Sequence, residues 1–182
     1  MSQKNNKMPE AQGAGKQLVG ADKVKDAWML LERHSYRDIP ITPDEIETVK
    51  ALFLPSASDK EKAEAYQTMM EPYEILISYA WKMPELHDDA FRFWDAILKD
   101  EKSLFSGNSI IRILGDRPNE DLVTIFKHHR KKFTADPVIR NLLYVSVDQR
   151  LAEGPFDFKT RTCGAWSDRE RKLWIDILNL LK

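Results

Sequence analysis

Apolar residues recur along this chain at three- and four-residue spacing, the period of a helix face rather than of a strand. Val24, Ala27, Trp28 and Leu31 fall at i, i+3, i+4 and i+7. The spacing returns in Ile46, Val49, Leu52 and Phe53, and again from Tyr66 through Met69, Met70, Tyr73, Ile77 and Ala80 to Trp81. Leu86, Ala90, Phe93, Trp94, Ile97 and Leu98 form a fourth stripe, and Leu122, Ile125, Phe126, His129 and Phe133 a fifth. Ile139, Leu142, Leu143, Val147 and Leu151 follow, and Leu173, Trp174, Ile177, Leu178 and Leu181 close the series.

The boundaries agree with the stripes. Thr42-Pro43-Asp44-Glu45, Ser58 through Glu61 and Ser167 through Glu170 each read as a capping box. In such a box a hydroxyl accepts from a backbone N–H while a Glu three residues on reaches back. Asp22 reads as the N-cap of the first helix, and Asp136-Pro137 as the start of another. Pro72 interrupts its stretch and predicts a kink or two shorter helices. Glu85, Asp88 and Asp89 follow Pro84 where the positive end of a helix dipole favours them. Ile110, Ile111, Ile113 and Leu114 predict a short helix stopped by Gly115, and residues 155–166 the longest internal loop. The pattern therefore predicts an all-α fold, an irregular bundle of about seven to eight helices. At least about 55% of the chain should be helical, with sheet absent or confined to a minor hairpin. Helix starts fall at uneven intervals, which weighs against a solenoid.

Composition adds size and compartment. The 182 residues are 42% hydrophobic, with five Trp, eight Phe and five Tyr, enough for one core. A single helical domain over 21–182 is expected, preceded by a polar, aperiodic, flexible tail over 1–20 that carries Gly13, Gly15 and Gly20. Cys163 is the one cysteine, so no intrachain disulfide can form, which fits a reducing compartment. No apolar run approaches the roughly 20 residues of a membrane span, and the N-terminus has no signal-like apolar core. A cytoplasmic location without membrane association is the expectation.

Charge is nearly balanced overall, at −1, but not along the chain. Residues 42–101 carry 14 acidic and 6 basic side chains, a net of −8, while 102–182 carry 10 and 15, a net of +5. Such polarity suits attraction to a protein partner or to a second copy. The leading expectation is a non-enzymatic protein-interaction or regulatory module of adaptor or inhibitor type, without a cofactor. An alternative is a nucleic-acid-associated factor using the basic C-terminal half. Its densest segment is Lys127-His128-His129-Arg130-Lys131-Lys132, so Lys127, Arg130, Lys131, Lys132 and Arg140 are the candidate binding residues.

Two further constellations bear on chemistry. Cys163 lies in Lys159-Thr160-Arg161-Thr162-Cys163-Gly164, where cations favour a thiolate, but no histidine is near in sequence. Among the four histidines, His87-Asp88 resembles the His-Asp pair of metal-dependent HD-type phosphohydrolases. That resemblance rests on His87 and Asp88, with His34 as a first metal ligand and Asp121, Asp136 or Asp148 as the last. It implies imidazole and carboxylate ligands around a divalent metal that activates water. The chain has no Gly-rich phosphate loop, no His-Glu-x-x-His and no Gly-x-Ser-x-Gly.

Overall fold

All three capping boxes form in the computed structural model, which describes residues 20–100, 117–157 and 160–182. Thr42, Ser58 and Ser167 accept from the N–H of Glu45, Glu61 and Glu170, whose carboxylates bond back to each cap. The Ser167 hydroxyl leads the bonds that hold the Glu170 carboxyl below its ordinary range.

Helix α1 spans Ala21–Arg37, α2 Pro43–Leu52, α3 Asp59–Thr68, α4 Met70–Ala80 and α5 His87–Lys99. Helix α6 spans Glu120–His128, α7 Arg130–Ala135, α8 Pro137–Glu153 and α9 Asp168–Leu181. These are nine helices among the described residues, of which 74% are helical. The fold class is the expected one. The 1–19 portion of the tail, the Ile110–Leu114 patch and residues 158–159 of the 155–166 loop lie outside the described residues.

Three local expectations are refined. Gly20, not Asp22, caps α1, and Asp22 sits in its first turn. The Pro72 stretch resolves into two helices meeting at Met69, because a proline ring clashes with the carbonyl four residues back, here that of Thr68. Pro72 is tolerated in the first turn of α4, where its missing N–H would be unpaired anyway. The stripe through Phe126 and Phe133 also breaks, at His129, which ends α6 and precedes α7. The two phenyl rings stay 4.8 Å apart across that break, so the apolar face is kept.

Packing follows the stripes. Helix α1 lies along α4 and α3 along α5, while α9 is held between α8 and α6. One buried cluster runs from Val24 to Leu181, centred on Tyr66, Tyr73, Phe93, Trp94 and Trp174. Two tyrosine hydroxyls inside it are matched. The Tyr66 hydroxyl donates to buried Glu74 at 3.0 Å, tying α3 to α4. Tyr73 donates to the Leu52 carbonyl at 2.9 Å, and burial pushes its phenol up to about 12.

The 155–166 loop carries a minor hairpin, β1 (Phe156–Asp157) against β2 (Thr162–Cys163), antiparallel with Phe156 opposite Cys163. It closes on Gly154, whose φ of 83° favours glycine, and a Cβ there would meet the Gly164 carbonyl. Gly154→Ala is therefore expected to cost about 1–3 kcal/mol. The check is thermal denaturation, and an unchanged melting temperature would refute the strain.

Candidate functional site

Of the titratable residues named from the sequence, His87, Asp121, His129 and Lys132 lie on one seam, between α5 and α6–α7. His87 at the start of α5 reaches Asp121 at the start of α6, with Nε2 2.7 Å from Oδ2. Eight residues further along both helices the roles are exchanged, and His129 Nε2 lies 2.7 Å from Asp95 Oδ1. One turn on, Lys132 Nζ donates to the Leu98 carbonyl at 3.2 Å and to that of Asp100. The His87–Asp121, Asp95–His129 and Leu98–Lys132 contacts are each separated by 34 positions, so α5 and the α6–α7 segment run parallel in one register.

Each contact has a local cause. His87 Nδ1 donates to the Trp81 carbonyl at 2.9 Å, and the ring packs on the Trp81 indole with centroids 4.5 Å apart. Asp95 is largely enclosed and also accepts from Lys99 Nζ at 2.7 Å. Burial pushes its carboxyl up, but the Lys99 ammonium and the His129 ring outweigh that and hold it below its ordinary 3.8. Lys99 in turn lies 3.7 Å from Asp59 on α3. The seam thus links both halves of the bundle through paired polar groups.

The HD-type set is not gathered. His34 is half-buried at the end of α1, its Nδ1 donating to the Ile39 carbonyl at 2.7 Å. Asp88 is exposed beside Arg92, 3.8 Å away. His87 and Asp121 do meet, but as a hydrogen-bonded pair. Among the described residues no group of three His, Cys, Asp or Glu side chains is placed to hold a metal.

The basic run divides into two classes. Arg130 Nε donates to the Leu180 carbonyl at 2.9 Å, closing the end of α9, and Lys132 closes the end of α5. Lys127, Lys131 and Arg140 are exposed. Beside Lys131, a cavity of about 360 Å³ is lined by Leu98, Lys99, His128, His129, Lys131 and Lys132. A second hollow, about 550 Å³, lies between Arg117 and the hairpin and includes Phe156 and Asp157. Of the loop aromatics, Trp166 folds onto the bundle, donating to the Arg150 carbonyl at 2.8 Å and meeting Trp174 edge-on. Phe156 stays exposed, as does Cys163.

One surface escaped the sequence reading. Val138, Leu142 and Val145 fall at i, i+4 and i+7 on α8 and are 75, 37 and 52% exposed, while Leu143 and Val147 on the opposite face are buried. The signal was present, since α8 is apolar on two faces. Leu142, part of the predicted stripe with Leu143, belongs to the outer face instead.

No protein-family model, curated protein or solved structure matches the chain. No helix among the described residues is long and apolar enough to cross a membrane.

Proposed function

We propose that this chain is a non-enzymatic protein-interaction or regulatory module whose binding surface is the outward face of α8. The observation that carries the reading is the exposed Val138, Leu142 and Val145 stripe on a chain in which 31% of residues are charged. A solvent-facing helix normally presents polar groups on its outer side. Three large apolar side chains at helical spacing instead match the i, i+4, i+7 anchors with which helices dock. The histidines support the same reading, because His87 and His129 are engaged in bonds that hold helices together. An amphipathic helix of a partner protein fits this face, and a second copy is the form testable with pure protein. The −8 and +5 segments add a screened attraction around the apolar centre.

The test compares the native chain with a Val138→Asp, Val145→Asp double variant. Both positions are exposed, so the melting temperature should change little. The native chain is expected either to self-associate in sedimentation velocity or to bind a captured and then purified partner saturably. The variant should lose that binding, while the native complex should survive salt in large part. Identical behaviour of the two proteins in both assays would overturn the reading.

A further inference from the structure

We infer that the outward face of α8 is a dimer interface, on which a second copy of this chain docks its own α8 in antiparallel orientation. The inference rests on the α8 reading above and commits it to one occupant. The face runs through Val138, Asn141, Leu142, Val145, Gln149 and Ala152, all exposed. None of the six carries a charge, although 31% of the chain does. Charged residues are depleted in the same way at the centres of protein interfaces.

The spacing selects a copy of the same helix. Val138, Leu142, Val145 and Gln149 are separated by four, three and four residues, a spacing that reads the same in both directions. A two-fold axis between Leu142 and Val145 therefore lays Leu142 against Val145 of the second copy, and Val138 against its Gln149. Two-fold interfaces require this self-complementarity, since each surface meets itself inverted. The flank of the stripe agrees. Asn141 and Asp148, about two turns apart, lie on the same side of it, and both are exposed. In the antiparallel pair each Asn141 comes within about one turn of Asp148 of the other copy. Its amide N–H then donates to that carboxylate, and symmetry makes the contact twice. A parallel pair would instead set Asp148 beside Asp148. The antiparallel arrangement also places the positive end of each helix dipole beside the negative end of the other. Three apolar anchors per copy make a small interface, so the dimer is reversible, with a Kd of roughly 1–100 μM.

Sedimentation equilibrium of the full chain, from about 1 μM to about 1 mM, should show a monomer–dimer equilibrium. Asn141→Asp should weaken the dimer about tenfold by setting two carboxylates against each other. Adding Asp148→Asn exchanges the two groups and should restore it. Both positions are exposed, so circular dichroism should show each variant folded as the native chain is. Orientation is read by disulfide trapping on a Cys163→Ser background, with Val138→Cys and Gln149→Cys proteins mixed and told apart by isotope label. The two should cross-link to each other and not to their own kind. In the antiparallel pair Val138 lies about 16 Å along the helix axis from Val138 of the other copy, beyond the reach of a disulfide. Cross-links between like copies, or an exchange that fails to restore the dimer, would overturn the antiparallel pairing. A dimer unaffected by Val138→Asp with Val145→Asp would place the interface elsewhere and overturn the inference. A chain that stays monomeric throughout would overturn the dimer alone, and the α8 surface would then stand or fall on its purified partner.

Discussion

Replacing Trp174 by alanine is expected to cost about 3–5 kcal/mol, the range for emptying a fully enclosed aromatic site. The side chain is completely buried in α9, meets Trp166 edge-on, and shares its helix face with Ile177 and Leu181. Its indole N–H has no hydrogen-bond partner among the described residues, and an unmet buried donor costs stability. Trp174→Phe should therefore be far milder than the alanine variant, since it removes the orphaned donor while keeping most of the apolar fill. Denaturant unfolding of both variants checks the pair. An alanine variant as stable as the native chain would refute the burial. A phenylalanine variant as damaged as the alanine one would refute the role given to the orphaned N–H. Deleting 168–182 should abolish cooperative melting, because α8 and α6 both pack against α9.

The helices were legible because their determinants are local. Thr42, Ser58 and Ser167 each find their Glu three residues away, and Pro72 acts on the carbonyl four residues behind it. The inner face of α9 was also legible, though Leu173 is only half-buried beside the enclosed Trp174. The seam was not legible, because it depends on register between distant segments. Nothing near His129 in sequence announces Asp95, and nothing near Lys132 announces the end of α5. The basic run could be seen, but not its division into Arg130 and Lys132 as caps and Lys127, Lys131 and Arg140 as exposed charges. His87 and Asp121 were both among the metal-ligand candidates. Their meeting explains why those residue types suit the positions without invoking a metal, since an imidazole and a carboxylate bridge two helices equally well.

The seam makes the second large prediction. Asp95→Ala strands Lys99 and His129 in a site where the His129 side chain is only 9% exposed and that of Asp95 15%. Removing one partner of a buried ionic group costs about 3–5 kcal/mol, and the residual exposure here points to about 3. Asp95→Asn separates shape from charge, because the amide oxygen can still accept one of the two bonds. Its deficit should depend on pH in a fixed direction. The folded carboxyl is held below 3.8, so as pH falls the unfolded chain takes up the proton first. The stability that ionised Asp95 contributes is thus complete by about pH 5 and is lost as pH falls through the folded value. The groups facing it are Lys99 on its own helix, which also meets Asp59 of α3, and His129 at the α6–α7 break. Urea unfolding of the native chain and Asp95→Asn should therefore show a gap present at about pH 5 that narrows below 3.8. A gap that stays constant or widens on acidification would mean that the Asp95 charge does not hold the seam, and that shape alone does.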